Sequence, residues 1–279
     1  MDGPAARGSC PAPGGRTETL VHGGRRRAYH LHVPAGHDCA TPAPVVFGFH
    51  GFASGAAEFA ATSRITDRAE REGFVAVHPE GTSGAPAGVQ GWNAGRCCGG
   101  AAQAGVDDVG FVRTLLGDLG RRMAIDHRRV YATGMSNGGS FVHRLACEAA
   151  DVFAAVTAVA GTPVVDTCRP TRPVSVLHVH GTADALVPYA GGGPFAFPSV
   201  DETIDAWAAR DACGGAREID GARGAAKVSR VAGCPAGIAV RLCAIDGGGH
   251  VWPGGTHDPA GAVSATDLAW AFFAAHPTP

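Results

Sequence analysis

Five residues constrain this chain more than any others: Gly134-Met135-Ser136-Asn137-Gly138 sets a serine between two glycines where an apolar run, 130–133, gives way to a helical pattern. A strand that becomes a helix across one residue strains the backbone at the corner, and only glycine-like neighbours let the flanking chain pass without a clash. The corner side chain is thrust out of the fold. Upstream, Arg128-Arg129-Val130-Tyr131-Ala132-Thr133 reads as a short buried strand, and downstream Phe141, Leu145 and Ala146 recur at helical spacing on one face. In a chain with 42 glycines the pentapeptide alone says little. The order strand, turn, helix is what marks Ser136 as a nucleophile.

The rest of the chain alternates between strand and helix patterns. Residues 17–22 and 27–33 alternate apolar with polar around Gly23-Gly24-Arg25-Arg26, the pattern of an antiparallel hairpin. Pro44-Val45-Val46-Phe47-Gly48-Phe49 is a continuous apolar run suited to the middle of a parallel sheet. A helix is expected over 58–70, a strand over 74–78, a long loop over 81–105, and a helix from Asp107-Asp108 that turns Val109, Val112, Leu115, Leu116 and Leu119 inward. After the elbow come strands at 154–160 and 174–180, a helix at 200–212, a hairpin, a strand at 239–245 and a helix at 265–275. Such alternation predicts an α/β fold: a mostly parallel central sheet with helices on both faces and a hairpin at its start.

At 279 residues, 45% hydrophobic and 17% charged, the chain suits one large domain over 16–279, preceded by a Pro/Gly/Ala-rich flexible leader over 1–15. A formal charge of -2 argues against nucleic acid, and Lys227 is the only lysine. The Arg25-Arg26-Arg27 run reads as a solvated turn. Nine cysteines, at 10, 39, 97, 98, 147, 168, 213, 234 and 243, point to an oxidising, extracellular setting with up to four disulfides and one thiol over. Cys213 and Cys234 flank a short segment with the look of a hairpin and are the expected pair. No C-x-x-C is present, so no zinc site is expected. Nothing approaches the length of a membrane span, and no basic-then-apolar signal peptide precedes the fold, so an exported chain is expected to have lost one.

A serine hydroxyl needs a base to take its proton and a third group to orient that base. With a nucleophile on an elbow the partners follow in the order acid, then histidine. Asp184 lies just beyond an apolar strand, in His180-Gly181-Thr182-Ala183-Asp184, and His250 follows another, in Gly247-Gly248-Gly249-His250-Val251-Trp252-Pro253. Among the acids Asp246 and Asp205 are the rivals. His178 and His180 read as structural, and His50 as a brace. The oxyanion of an acyl-transfer intermediate needs aimed donors, worth about 3 kcal/mol each. Those expected are the backbone N–H groups of Asn137, at the start of the elbow helix, and of Phe52, in His50-Gly51-Phe52-Ala53-Ser54-Gly55.

These motifs together resemble the extracellular esterases grouped with polyhydroxybutyrate depolymerases and feruloyl esterases, α/β-hydrolase enzymes that use no metal. The likeness runs through His50-Gly51-Phe52, residues 73–81, Trp92-Asn93-Ala94-Gly95-Arg96-Cys97-Cys98-Gly99, Val106-Asp107-Asp108-Val109-Gly110-Phe111, the elbow, His180 to Asp184 with Val187-Pro188-Tyr189, and His250-Val251-Trp252-Pro253-Gly254. It implies a triad of Ser136, Asp184 and His250 acting without a cofactor. His78 stands where a tyrosine is expected. Asp107 and Asp108 are assigned to a helix cap and a loop brace. Trp92, Trp252 and Phe52 are candidate walls for an acyl group; for the two tryptophans the alternative is packing beneath the loops of the site.

Only a dozen or so residues separate the strand ending at Ala160 from the next, too few for a helical lid, so an open cleft is expected. The 191–198 loop, with Phe195 and Phe197, is a candidate rim. The reading is a secreted, monomeric serine carboxylesterase working through an acyl-enzyme, on feruloyl-type esters of plant polysaccharide or, alternatively, on a hydroxyalkanoate polyester or its oligomers. A peptidase or thioesterase on the same scaffold, or a binding protein that kept the fold, are the other classes. A binding protein is expected to have lost a triad member, and all three are present.

Overall fold

The computed structural model describes residues 10–84, 88–258 and 261–278. The chain opens with β1 (Gly14–His22) and β2 (Arg25–Val33), which pair antiparallel about Gly23-Gly24. Both glycines have positive φ, at 56° and 74°, which is what a two-residue turn between twisted strands demands. There follow β3 (Ala43–Phe49), α1 (Ala56–Ser63), α2 (Ile65–Glu72), β4 (Val75–Pro79), β5 (Thr82–Ser83), β6 (Gln90–Gly91), α3 (Gly99–Gln103) and α4 (Asp108–Arg122). The elbow joins β7 (Ile125–Met135) to α5 (Asn137–Glu148). The chain then runs through β8 (Ala155–Val159), β9 (Ser175–Gly181), α6 (Val200–Arg210), β10 (Arg217–Arg223), β11 (Ala226–Val231), β12 (Val240–Ile245) and α7 (Ala265–Ala275).

Among the described residues ten strands form one sheet in the order β1-β2-β4-β3-β7-β8-β9-β12-β11-β10. The six strands from β4 to β12 run parallel, and antiparallel pairs extend both edges. Alternate residues of β3 serve opposite faces. Val45, Phe47 and Phe49 join Leu115 of α4, Phe141 of α5 and Trp207 of α6 in one apolar cluster, while Val46 joins Phe59 of α1, Ile65 of α2 and Phe273 of α7 in the other. The central strands are buried on both sides, which is why they read as unbroken apolar runs. The α/β-hydrolase architecture expected from the sequence is present, and the parallel strands bring the elbow and the loops after β3, β9 and β12 to one edge of the sheet.

Several local expectations need correction. The helix expected over 58–70 is two helices, broken at Arg64, whose φ of 57° ends α1 and begins α2. Its N–H closes on Ala60 O at 3.1 Å, and a left-handed residue cannot continue a right-handed helix. The 81–105 loop contains β5, β6 and α3. Of the leader, residues 1–9 lie outside the described residues; Cys10 is disulfide-bonded to Cys39, and Gly14 and Gly15 already belong to β1. Arg27 is not part of a solvated turn. The alternation of β2 turns it inward, where it is 4% exposed, donates to Asp108 Oδ1 at 2.8 Å and stacks over Phe111 at 4.0 Å. Asp107 caps α4 by accepting from Gly110 N–H at 2.8 Å, in the capping role expected of it.

The nine cysteines form four disulfides, Cys10–Cys39, Cys97–Cys98, Cys147–Cys168 and Cys213–Cys234, and leave Cys243 buried and free. Cys213–Cys234 spans the β10–β11 hairpin, as the sequence indicated.

Two outcomes follow from the ion pairs. Asp108→Ala leaves the Arg27 guanidinium buried without its partner and should lower the unfolding free energy by about 3–5 kcal/mol in urea melts; an unshifted midpoint would mean the pair is not structural. Hydrogen bonding from Arg122, opposed by burial and aided by Arg16 and Tyr29, holds Glu18 down at about 2 against an ordinary 4.5. Because the folded value is the lower one, this stabilisation is complete above the unfolded value and is lost as pH falls toward about 2. Glu18→Gln should therefore make Tm fall less steeply through that acid range, and an unchanged slope would assign the acid sensitivity to other groups.

Candidate active site

Ser136 sits at the corner between β7 and α5 with φ 57° and ψ -122°, a strained conformation for a residue with a side chain. Its N–H is held by Val159 O of β8 at 2.9 Å. The flanking glycines are there for closeness: a Cβ on Gly138 would lie 2.2 Å from Phe49 O, and one on Gly134 would lie 2.6 Å from Gly138 O. Gly161 answers from the far side, where a Cβ would meet Ser136 O at 2.1 Å.

Asp184 and His250 are brought together from the loops after β9 and β12. His250 Nδ1 lies 2.7 Å from Asp184 Oδ2, while Leu186 and Val187 N–H donate to Asp184 Oδ1 at 2.9 Å each. Burial pushes this carboxyl up, but the bonds from His250 and the two backbone N–H groups outweigh it and hold the acid below its ordinary value. The rival acids are elsewhere: Asp246 accepts from Thr182 Oγ1 at 3.3 Å, and Asp205 is on the exposed side of α6. Ser136 and His250 line the same cleft, with no hydrogen bond between them.

The loop after β3 is built from hydrogen bonds the motif did not reveal. His50 donates from Nδ1 to Gly51 O at 2.7 Å and accepts Gly81 N–H on Nε2 at 2.9 Å, so it is a neutral brace, and burial keeps it below its ordinary value. Trp92 Nε1 donates to His50 O at 3.0 Å. The Asn137 side chain clasps Trp92 at both ends of its backbone, accepting from N–H at 2.7 Å and donating to the carbonyl at 3.1 Å. Glu80 accepts from Ala56 N–H at 2.8 Å and so ties the start of α1 to the end of β4. Asp108 accepts from Asn93 N–H at 2.8 Å, the loop brace expected of it. The backbone N–H groups of Phe52 and Asn137 donate to no acceptor among the described residues. The N-terminus of α5 lies at the second of them.

The open cleft over Ser136 has a volume of about 570 Å³. Phe52, Phe59, Leu186, Phe195, Phe197 and Trp252 supply its apolar wall. Phe52 and Leu186 are exposed, at 43% and 67%. Trp92 is a correction: it is wholly buried, stacked on Phe141 at 5.2 Å and set edge-on to Phe49, so it supports the loop after β3 from within and does not wall the cleft. Trp252 reaches the cleft but is 2% exposed, its Nε1 donating to Thr266 Oγ1 at 3.1 Å. His78, in place of a tyrosine, is buried beside Phe59 with both ring nitrogens unpartnered, and burial pushes it down to about 3. Residues 161–174 contain no helix. Among the described residues no His, Cys, Asp and Glu cluster is arranged to hold a metal, and no helix is long and apolar enough to cross a membrane.

Residues 27–185 match the family described as Esterase PHB depolymerase. The chain is 31% identical over 229 residues to Feruloyl esterase B of Piromyces equi, a match covering 78% of this chain and 41% of that protein. It is 26% identical over 277 residues to Feruloyl esterase C of Emericella nidulans, covering 95% and 91%. Among solved structures it is similar to an acetyl xylan esterase from Aspergillus awamori, with a TM-score of 0.60 at 15% identity, covering 94% of this chain and all of that one. The chain belongs to the Esterase PHB depolymerase family. Its fold is that of the α/β-hydrolases, and its family and relatives are carboxylic ester hydrolases.

The Asn137 clasp has a measurable consequence. Asn137→Ala keeps the backbone N–H but releases Trp92 from two buried hydrogen bonds, at a cost of about 1–3 kcal/mol, and should lower kcat by about tenfold with Ser136 still labelled by a fluorophosphonate. Wild-type kcat in this variant would show that the Trp92 segment does not support the site.

Proposed function

We propose that Ser136, His250 and Asp184 carry out acyl transfer to water on feruloyl- or cinnamoyl-type esters of plant polysaccharide. Ser136 Oγ attacks the ester carbonyl as His250 takes its proton, and Asp184 holds the imidazole and offsets its new charge. The oxyanion accepts from Phe52 and Asn137 N–H. His250 then hands its proton to the leaving alcohol. Water, deprotonated by the same imidazole, attacks the acyl-enzyme, and the acid leaves as His250 returns that proton to Ser136 Oγ.

The observation that carries the substrate reading is the aromatic wall of a cleft with no helix across it. Phe52, Phe195 and Phe197 offer ring faces and edges to a planar aryl acyl group, and the openness admits an ester borne on a bulky polymer. The named relatives, feruloyl esterases B and C, support the same choice. A hydroxyalkanoate polyester or its oligomers is the second reading, favoured by the family description and by the aliphatic contribution of Leu186, Val187 and Val251 to the same wall. Four disulfides support an extracellular site of action, and the chain is read as acting as a monomer.

The test is hydrolysis of methyl ferulate beside p-nitrophenyl butyrate and 3-hydroxybutyrate oligomers by wild type, Ser136→Ala and Phe195→Ala. Ferulate release should vanish in Ser136→Ala, and Phe195→Ala should raise KM for methyl ferulate about fivefold while changing that for the butyrate little. Cleavage of hydroxybutyrate oligomers with little ferulate release moves the assignment to polyesters. Hydrolysis that persists in Ser136→Ala removes the serine from the mechanism.

A further inference from the structure

From Asp184 a row of three histidines runs into the core: His180 and His178 on β9, then His143 on α5, all of them buried. Trp207 of α6, also buried, closes the row. Trp207 Nε1 lies 3.0 Å from His143 Nδ1, His143 Nε2 3.3 Å from His178 Nδ1, and His178 Nε2 2.9 Å from His180 Nδ1. The last nitrogen, His180 Nε2, lies 2.8 Å from Val187 O.

The two ends dictate the direction. An indole nitrogen only donates and a backbone carbonyl only accepts. Trp207 therefore makes His143 Nδ1 an acceptor, which in a neutral ring leaves the proton on Nε2. The same step repeats at His178 and at His180. Each ring then donates from Nε2 to the next, and an added proton would set two donors face to face. Burial also opposes charge, pushing His143 down to about 3 and holding His178 and His180 below the ordinary histidine value.

Val187 connects the row to the acid. Its carbonyl accepts from His180, and its own N–H donates to Asp184 Oδ1 at 2.9 Å. The other carboxylate oxygen, Oδ2, is the one at His250, and it lies 3.4 Å from His180 Nε2. The positive end of the His180 N–H thus stands between the Val187 carbonyl and the carboxylate.

We infer that Trp207, His143, His178 and His180 are a one-directional donor chain that holds Asp184 in place and moderates its pull on the His250 proton. They are positioning residues, which reach the reaction through Val187 and the carboxylate; this role rests on reading Asp184 and His250 as acid and base. Each donor in such a row polarises the next, so Trp207 is felt at His180. The groups facing the chain are Asp184 and His250 at one end, Arg210 and the Gly161 backbone at His143, and Tyr189, whose ring meets His180 edge-on at 5.9 Å.

Ring-nitrogen NMR of the 15N-histidine-labelled wild type tests the chain directly. Three neutral Nε2–H rings that do not titrate between about pH 5 and 9 are expected; an Nδ1–H or doubly protonated ring at any of the three positions overturns it, whatever the activity. Trp207→Phe should mix the His143 tautomers. His180→Phe should lower kcat about tenfold and move the acid limb of kcat/KM to higher pH by about 0.5 unit, because a carboxylate freed of the N–H dipole draws the His250 proton more strongly. His180→Gln, whose amide N–H can reach the same acceptors, should restore both. An acid limb unmoved in His180→Phe, or no recovery in His180→Gln, reduces His180 to packing and overturns the proposal. Activity retained by Ser136→Ala would instead overturn the triad and leave the NMR result untouched, so the two failures are distinguishable.

Discussion

The nearness of the elbow to the strands beside it governs everything else in the molecule. The backbone at Gly138 passes so close to Phe49 O that no side chain fits between them, and Gly161 closes against Ser136 O from the other neighbour. The sheet order β3-β7-β8 supplies both walls. Held between them, Ser136 keeps a φ of 57° that it would abandon in a free turn. The cost of that conformation is borne by the bonds and packing on either side, including Ser136 N–H to Val159 O and the stack of Phe49, Trp92 and Phe141.

Loops do the rest, and they are ordered by buried polar groups more than by regular structure. Asp108 joins Arg27 on β2 to Asn93 in the loop before α3, His50 joins β3 to Gly81, and Asn137 joins the elbow helix to Trp92. Each side chain satisfies backbone groups that no strand partner reaches, which is why segments without repeating structure can be buried at all. The same logic gives Asp184 its place. Its carboxylate is surrounded by donors from its own turn and from His250, and the turn is in turn gripped by His180.

The legibility of the chain follows the range of each interaction. The helix over Ala265–Ala275 and the strands around β3, β8, β9 and β12 were readable because apolar spacing is a local property of the sequence and burial on both faces leaves it unbroken. The break at Arg64 was not readable, since both halves carry helical residues and only a left-handed φ separates them. Arg27 misled because a run of three arginines looks solvated until the hairpin register turns the third one inward onto Asp108, 81 positions away. Trp92 misled in the opposite sense: a tryptophan in a glycine-rich loop resembles a ligand wall, and only packing shows it beneath the loop.

By itself the sequence determined the corner serine, the chain order of acid and histidine, the alternation that makes a parallel sheet, and a disulfide across a short hairpin, because each is set by neighbours within a few residues or by order along the chain. Tertiary structure alone decided that Trp92 packs beneath the loop, what clasps it, and the pairing of Cys10 with Cys39 and Cys147 with Cys168. It also decided that His178 and His180, read as structural, stand in line with His143 behind Asp184. These depend on distances between segments far apart in sequence. Such distances exist only once the sheet has set its strand order and carried the loops to one edge.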